Sequence, residues 1–391
     1  MIPYGRHHID EDDIQAVVDV LRSGALTQGP TIELFEKTVA EYVGAKYAVA
    51  VSSGTAALHL SAMAAGVGPG STLVTSPITF VASANAGLYV GAKVSFTDVD
   101  PLTINMSPAA LKEVLKKNPN TKAVVPVHFA GLPCDMEAIK KLADKTSAVV
   151  IEDAAHALGA VYPSGRRVGC CENSLMTCFS FHPVKTIAAG EGGMVTTNVE
   201  TVYRKLMRLR SHGINKLDDD FLLTHNANDH TGPNPWYYEM QELGFHYRIT
   251  DIQSALAVSQ MKRLDTFIEH RKALAARYDQ AFCNEHFIRP AQAIFKTGSG
   301  NHIYTVRIDF EAIGKTRRQV MLALREKGVG TQVHYIPVPM HPLYQRLGHK
   351  PADHPQAMSY YSEALTIPLS FSLSFDEQDF VLTTLRGVLR G

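Results

Sequence analysis

The sequence lacks the features that mark several large classes of protein. Neither charge is in excess, because 38 lysines and arginines balance 38 aspartates and glutamates, and this argues against a general nucleic-acid or membrane-surface binder. No apolar run approaches the length that spans a bilayer, and the N-terminus lacks the apolar core of a signal peptide. We therefore expect a cytoplasmic protein that binds neither nucleic acid nor membrane.

Cysteine is also scarce. The five cysteines stand at positions 134, 170, 171, 178 and 283, and their spacing fits neither a disulfide framework nor a C-x-x-C metal site. Histidine is plentiful at 17, but no H-E-x-x-H spacing occurs. We expect reduced thiols and no metal centre.

What the chain does have is length and regular alternation. Its 391 residues are 45% hydrophobic, which suffices for a large core and two or three domains. Short β-branched runs alternate with helical patterns up to about residue 200, and this predicts an α/β fold with a mostly parallel, helix-covered sheet. The predicted strands are Tyr47–Val51, Thr72–Thr75, Lys93–Thr97, Ala123–Val127, Ala148–Ile151, Leu175–Phe181 and Met194–Thr197. The last two are joined too closely for a helical crossover, so the last is predicted to be antiparallel.

The helical patterns extend along the whole chain. Ile14, Val17, Val18 and Leu21 recur at helical spacing in the first, which stops at Ser23-Gly24. The others are Ile32–Val43, Ala56–Ala65, Ala109–Lys117, Met136–Lys145, Thr250–Phe282 (one long helix or a kinked pair), Arg317–Lys327 and Asp376–Leu389.

The pattern changes in the last third of the chain, where the predicted strands are Ile303–Ile308 and Thr331–Tyr335. We predict an N-terminal arm and helix (1–30), a large domain (31–250), and a linking helix with a smaller α+β domain (251–391). The polar segment Lys216–Trp236 is predicted to be a long loop of a functional kind.

One lysine has an unusual setting. Lys185 ends the run S-F-H-P-V-K, between a predicted strand and the turn G-E-G-G. A lysine there can form a Schiff base with an aldehyde cofactor, since its pKa falls readily on burial. On this segment alone, an ordinary loop lysine is an equally good interpretation.

Other suggestive residues also follow strands, where ligands bind in open parallel sheets. The run S-S-G-T-A-A at 52–57 can cradle a phosphate or simply cap a helix. Phe80 can face a planar ring or lie in the core. Asp153 can pair with a protonated pyridine nitrogen or cap a helix, and His156 can reach a phenolic oxygen. Together with Lys185 these are the contacts that pyridoxal 5′-phosphate (PLP) requires.

The same motifs resemble a known family. S-G-T-A-A-L, P-I-T-F-V-A, E-D-A-A-H-A-L-G-A, S-F-H-P-V-K and G-E-G-G-M are similar, in this order, to the DegT/StrS-type sugar aminotransferases. The likeness runs from L-T-Q-G-P at Leu26–Pro30 to H-Y-I-P at His334–Pro337. It implies the PLP-dependent transferase fold type I, with a seven-stranded large domain and a smaller α+β C-terminal domain.

The resemblance also implies roles for individual residues. Lys185 would bind the cofactor aldehyde, Asp153 its ring nitrogen, and Phe80 would stack on the ring. His156 would take the place of a glutamine near the phenolic oxygen. The phosphate would be held by Gly54, Thr55, Ala56 and Ser180, and by His246 of a neighbouring subunit, where many relatives have asparagine. A homodimer with shared active sites would follow.

The opening I-P-Y-G-R and the segment L-G-F-H-Y-R-I-T-D-I at Leu243–Ile252 resemble one branch of this family more narrowly. That branch aminates a UDP-linked 2-acetamido-2,6-dideoxy-hexulose to UDP-4-amino-4,6-dideoxy-N-acetyl-β-L-altrosamine, on the way to pseudaminic acid, with L-glutamate as donor. The residues that would line the sugar-nucleotide pocket are Tyr4, Gly24, Ala25, Leu26, Thr27, His334, Tyr335, Ile336 and Pro337.

Three alternatives stay open. Some relatives dehydrate a sugar instead, but they replace the lysine with histidine, and Lys185 argues against this. The substrate could be another ketosugar, giving perosamine- or bacillosamine-type products. A non-catalytic regulator of the same fold would be expected to carry a nucleic-acid-binding domain or a basic patch, which the neutral charge disfavours.

Overall fold

A seven-stranded sheet lies at the centre of the protein in a computed structural model, which describes residues 1–216, 221–292 and 298–391. Its strands are β1 (Tyr47–Val51), β2 (Thr72–Thr75), β3 (Lys93–Phe96), β4 (Thr121–Val125), β5 (Val149–Asp153), β6 (Met176–Ser180) and β7 (Gly193–Thr197). They lie in the order β1-β7-β6-β5-β4-β2-β3. β2 to β6 pair in parallel, and β7 is antiparallel to both β1 and β6. The predicted sheet and its antiparallel strand are confirmed.

Helices cover both faces of this sheet, and each face has its own apolar core. The helices of the chain are α1 (Glu11–Ser23), α2 (Pro30–Val43), α3 (Gly54–Ala64), α4 (Ala82–Tyr89), α5 (Pro108–Lys117), α6 (Met136–Asp144), α7 (Glu200–Leu209), α8 (Thr224–Ala227), α9 (Asp251–Met261), α10 (Leu264–Phe282), α11 (Arg317–Glu326), α12 (Pro342–Arg346), α13 (Pro355–Glu363) and α14 (Phe375–Arg390). One core joins the sheet to α2, α5, α6 and α9, and the other joins it to α3 and α7. Burial on both faces explains the nearly continuous apolar runs of the strands.

A second, smaller sheet follows in the chain. The remaining strands are β8 (Ile214–Asn215), β9 (Asn228–Asp229), β10 (Gly232–Pro233), β11 (Glu239–Met240), β12 (Ile288–Pro290), β13 (Tyr304–Ile308) and β14 (Ala364–Ile367). β12, β13 and β14 form an antiparallel sheet that packs its own core against α11, α14 and part of α10. The division of the chain into domains stays a prediction.

Several sequence-based boundaries are corrected by the structure. The predicted strand Thr331–Tyr335 is wrong. Gln332 forms an isolated bridge with Thr366, and the strand that pairs with β13 is β14. The predicted helix Thr250–Phe282 is a pair, α9 and α10. β5 extends to Asp153, so the carboxyl groups at 152 and 153 lie within the strand.

The first helix buries a different side from the one expected. Ile14 and Leu21 are exposed, whereas Asp13 and Val20 are buried. The reason is polar: Asp13 forms an ion pair with Arg263 and accepts a hydrogen bond of 2.6 Å from Gln260 of α9. In the predicted loop, 217–220 lies outside the described residues, and the described part contains α8, β9 and β10.

The thiols are all free, as expected: Cys283 is exposed, and the buried ones are Cys134, Cys170, Cys171 and Cys178. Within the described ranges, no helix combines the length and the apolar character needed to cross a membrane.

Candidate active site

A cavity of about 570 Å³ opens where the strands of the large sheet end. Segments that follow β1, β2, β4, β5 and β6 line it, because these parallel strands finish at one edge of the sheet. The predicted site residues that it brings together are Tyr4, Gly54, Thr55, Phe80, Asp153, His156, Ser180, Lys185, His334 and Tyr335.

Lys185 lies in the short connection between β6 and β7. Its backbone N–H donates to the His182 carbonyl at 2.8 Å, which closes a turn that presents the side chain to the cavity. Burial lowers the pKa of the Lys185 amine to about 8, although Asp153 opposes the shift. The amine therefore gives up its proton far more readily than a surface lysine, as nucleophilic lysines must.

Asp153 is a buried carboxylate without an ion pair among the described residues. Its Oδ2 accepts from Ser83 Oγ at 2.5 Å, and its Oδ1 accepts from the Ala155 N–H at 3.1 Å. No helix begins here, so the helix-cap alternative is wrong. Because burying an unpaired carboxylate is costly, this wall of the cavity suits a cationic group.

Two imidazoles and a phenol, those of His156, His334 and Tyr335, also line the cavity, and the His302 ring lies against His156. His156 Nε2 lies 3.0 Å from the Tyr335 hydroxyl, and the His302 ring lies 4.5 Å from the His156 ring. Burial, with Lys185 nearby, lowers the pKa of His334 to about 4 and that of His156 well below its usual value. These rings are neutral near pH 7, and the buried Nδ1 of His156 has no hydrogen-bond partner in the described structure.

The cavity floor at the start of α3 has little room for side chains. Ser53 Oγ accepts from the Ala56 N–H at 3.1 Å, so Ser53 caps α3, as the helix-cap alternative predicts. The same segment also lines the cavity, through Ser52, Ser53, Gly54 and Thr55. A Cβ atom on Gly54 would lie 2.8 Å from Ser180 Cβ, and one on Gly193 would lie 2.2 Å from the Ser53 carbonyl oxygen. Glycine is required at both positions.

Two aromatic side chains complete the cavity. Phe80 is 59% exposed, so the core alternative is wrong, and its ring centroid lies 6.4 Å from that of Tyr335. Tyr4 stands 5.3 Å from the His334 ring on an N-terminal arm. The arm is held by the Leu369 N–H, which donates to the Tyr4 carbonyl at 3.0 Å.

Some predicted site residues do not line this cavity within one chain. They are Gly24, Ala25, Leu26, Thr27, Ala56, His246, Ile336 and Pro337. Leu26 and Thr27 instead pair with the backbone at Thr250 and Asp251. His246 is exposed, and its ring stacks on His212 at 5.4 Å. The roles of these residues stay predictions.

Four residues near the cavity have no signal in the sequence that would have predicted them. Ser83 is buried against Asp153 and Thr79 lines the cavity beside Ser83, and nothing in the run I-T-F-V-A-S distinguishes the two from ordinary helix-start hydroxyls. Glu191 and His182, at exposed positions of the cavity lining, were also missed.

Glu152 points away from Asp153 into a closed polar cluster. Its two oxygens accept from His128 Nε2 at 2.7 Å, Ser174 Oγ at 2.5 Å, Thr177 Oγ1 at 2.9 Å and the Tyr162 hydroxyl. The Cys134 N–H donates to His128 Nδ1 at 3.0 Å, which puts the ring proton on Nε2. Burial opposes ionisation of Glu152, but these hydrogen bonds outweigh it and hold its pKa below the usual value.

The cavity fits PLP on three observations. The N-terminus of α3 presents Ser52, Ser53, Gly54 and Thr55 to the cavity, and a helix N-terminus suits an anionic group. Asp153 offers an unpaired carboxylate to a cationic ring nitrogen. Lys185 offers an amine with a lowered pKa to an aldehyde.

Comparison with known proteins gives one consistent picture. The family model described as the DegT/DnrJ/EryC1/StrS aminotransferase family matches residues 7–386. Spore coat polysaccharide biosynthesis protein SpsC of Bacillus subtilis is 40% identical over 396 residues, which cover 100% of this chain and 97% of SpsC. The UDP-4-amino-4,6-dideoxy-N-acetyl-beta-L-altrosamine transaminase of Campylobacter jejuni is 34% identical over 391 residues, 100% of this chain and 98% of that protein.

Solved structures agree closely with the fold. Helicobacter pylori PseC, an aminotransferase involved in the biosynthesis of pseudoaminic acid, superposes with a TM-score of 0.88 at 30% identity over 99% of each chain. Spr1654 from Streptococcus pneumoniae in its PMP-form gives 0.90 at 29% identity, over 100% of this chain and 99% of that chain.

Proposed function

The chain belongs to the DegT/DnrJ/EryC1/StrS aminotransferase family, whose members are PLP-dependent sugar aminotransferases, and we propose that it aminates the 4-keto group of a UDP-linked 2-acetamido-2,6-dideoxy-hexulose with L-glutamate as donor. The product would be UDP-4-amino-4,6-dideoxy-N-acetyl-β-L-altrosamine. The observation that carries the aminotransferase chemistry is the Lys185 amine, with its lowered pKa, in one cavity with the unpaired Asp153 carboxylate.

Each of the residues that line the cavity has its own proposed role. When bound, the cofactor carries the amino group between the two substrates and absorbs electrons from the reacting carbon. Lys185 holds it and, once its amine is free, moves the proton at the reacting carbon, a role typically worth about 10²–10⁴-fold in rate. Asp153 keeps a proton on the ring nitrogen. Gly54, Thr55 and Ser180 leave room for the phosphate.

The neutral side chains complete the site. His156 and Tyr335 share a hydrogen bond of 3.0 Å and offer neutral donors and acceptors to oxygen atoms in the cavity. Phe80 covers the open side. Tyr4 and His334, at ring contact, form the wall on which a sugar would rest. Ala56 and His246 are proposed to complete the phosphate site, and the segments 24–27 and 334–337 the substrate pocket.

The choice of sugar rests on similarity. The transaminase from Campylobacter jejuni at 34% identity supports the altrosamine product, and PseC at 30% supports a place in the biosynthesis of pseudoaminic acid. SpsC at 40% identity supports another possibility, namely amination of a different nucleotide-linked ketosugar destined for a polysaccharide.

A panel of UDP- and dTDP-linked 4-ketosugars, each incubated with the holoenzyme and L-glutamate, tests both. We expect 2-oxoglutarate and an aminosugar from the UDP-linked 2-acetamido sugar, and none with Lys185→Ala. Turnover of a different ketosugar alone would transfer the proposal to that sugar, and turnover of none would overturn it.

We also propose a cytoplasmic homodimer with shared active sites. The segment that precedes His246 in the chain carries several large apolar side chains that are more than half exposed, namely Leu222, Trp236, Tyr238, Met240 and Leu243. Exposed apolar side chains concentrated in one segment favour an interface, and a second copy seated there would bring His246 towards the neighbouring cavity. The free thiols fit a reducing compartment.

Subunit complementation tests the shared site. Neither Lys185→Ala nor His246→Ala alone should be fully active, but a refolded mixture should regain activity, because one site of each mixed dimer keeps both residues. A mixture no more active than the sum of its parts would contradict sharing.

A further inference from the structure

Two buried hydroxyl groups extend in succession from the Asp153 carboxylate, and Thr79, the second of them, also lines the cavity. Ser83 Oγ is 2.5 Å from Asp153 Oδ2, and Thr79 Oγ1 is 2.7 Å from Ser83 Oγ. Ser83 is 0% exposed and Thr79 2% exposed, so bulk water does not compete for these contacts. The hydroxyls therefore have fixed partners.

The direction of these hydrogen bonds follows from donor counting. Ser83 Oγ donates to Asp153 Oδ2, which uses the single proton of the serine hydroxyl. Thr79 must then donate to Ser83 Oγ. The Phe80 carbonyl lies farther from Ser83 Oγ, at 3.4 Å, and competes weakly for the same proton.

A local capping role does not explain this arrangement. A cap hydroxyl accepts from a free backbone N–H in the first turn of a helix. Here the Ser83 N–H donates to the Phe80 carbonyl at 3.3 Å, and α4 has no side-chain cap. Both hydroxyls are directed at side chains, and the chain of contacts ends at Asp153.

We propose that Thr79 and Ser83 are positioning residues whose one-way hydrogen-bond chain holds the Asp153 carboxylate in its orientation towards the cofactor's ring nitrogen. The inference rests on the role proposed above for Asp153. Hydrogen bonds to an ionised group are strong, and successive bonds in a chain polarise one another. Among the described contacts, Thr79 reaches Asp153 through Ser83.

The ring nitrogen itself reports on this chain. With cofactor labelled with ¹⁵N in the ring, the NMR signal of the holoenzyme distinguishes a protonated from an unprotonated nitrogen. We expect Ser83→Ala to move the signal towards the unprotonated form and to weaken cofactor affinity about tenfold, the loss of one charge-assisted hydrogen bond. Ser83→Thr, which keeps the hydroxyl, should restore both.

Two further variants separate a chain from independent contacts. Thr79→Val, which keeps the volume, should move the signal less than Ser83→Ala, and the double variant should match Ser83→Ala alone. Ser76→Ala is the control: Ser76 is another buried serine of this segment, and among the described residues its hydroxyl bonds to the backbone of Ile78 alone. It should leave the signal unchanged.

The outcomes are distinct. If Ser83→Ala behaves like Ser76→Ala, or if the effects of Thr79→Val and Ser83→Ala add in the double variant, the chain is overturned. Asp153→Asn separates this failure from a deeper one. If Asp153→Asn also leaves the signal unmoved, the role proposed for Asp153 fails, and the chain falls with it.

Discussion

Two neighbouring carboxyl groups on β5 have opposite surroundings. Successive side chains of a strand point to opposite faces, so Glu152 and Asp153 are buried on either side of the sheet. Glu152 accepts hydrogen bonds from four side chains, whereas Asp153 accepts from one side chain and one backbone N–H. A carboxylate whose bonds are complete within the chain serves stability, and one that keeps acceptor capacity towards a cavity serves a ligand.

The largest expected effect on activity comes from Lys185→Ala, a substitution in the cavity. We expect turnover to fall by about 10⁴-fold, because the proton-moving group is lost. The unfolding midpoint of the apoprotein should be about unchanged, since Lys185 is half-buried and its amine forms no hydrogen bond or ion pair among the described residues. Steady-state kinetics and thermal unfolding measure the two, and activity within tenfold of wild type would mean that another base serves the reaction.

Asp153→Asn should separate function from stability on the same side of the strand. The amide keeps the shape but removes the charge opposite the ring nitrogen, so we expect kcat to fall by roughly 10²–10³-fold, as when a preorganised electrostatic contact is lost. Urea unfolding of the apoprotein should show little change. A large loss of stability would make Asp153 resemble Glu152, and the comparison would fail.

Glu152→Gln should give the converse result. Its amide would point N–H groups at hydroxyls that now donate, which leaves buried donors unsatisfied and costs about 3 kcal/mol of unfolding free energy. Because the folded pKa of Glu152 lies below its ordinary 4.5, this stabilisation is complete above pH 4.5 and is lost as the pH falls through the folded value.

The difference between wild type and Glu152→Gln should therefore shrink in acid. Urea titrations at pH 7 and pH 4 measure it, with Glu113→Gln as a control at an exposed ion pair with Lys116. A kcat that collapses while stability is retained would show that Glu152 serves the reaction rather than the fold.

The smallest effect concerns pH. The amine of Lys185 reacts only when deprotonated, so its covalent reaction with added PLP should quicken as the pH rises to about 8 and then level off. An ordinary lysine would continue to quicken up to about 10.5. Stopped-flow absorbance of the apoprotein follows the reaction. A rate that keeps rising past pH 9 would show that burial does not lower the pKa of the Lys185 amine.

Much of the fold could be predicted because its signals are local. The alternation of strands and helices predicts the large sheet, and the short link after β6 predicts its antiparallel strand. β14 could not be found in this way, since four residues at the end of α13 carry no turn signal of their own. The side chains of Thr331–Tyr335 alternate as in a strand, but this segment forms an isolated bridge at Gln332 and no strand pairing.

The residues of the site also differ in whether the local sequence predicts them. The meeting of Lys185 and Asp153 in one cavity could be predicted, because strand ends mark a ligand edge, whereas their roles there stay predictions. Ser83 could not, since its partner Asp153 lies 70 residues away and only tertiary packing brings the two together. The four donors around Glu152 come from separate segments for the same reason.

Gly193 has a consequence for reading other sequences. A methyl group there would strike the Ser53 carbonyl, so β7 can approach the start of α3 this closely only with glycine at 193. A homologue with alanine at this position would have to shift the backbone at Ser53 and Gly54, two residues that line the cavity. In other sequences the position therefore reports whether this edge of the sheet can pack as it does here.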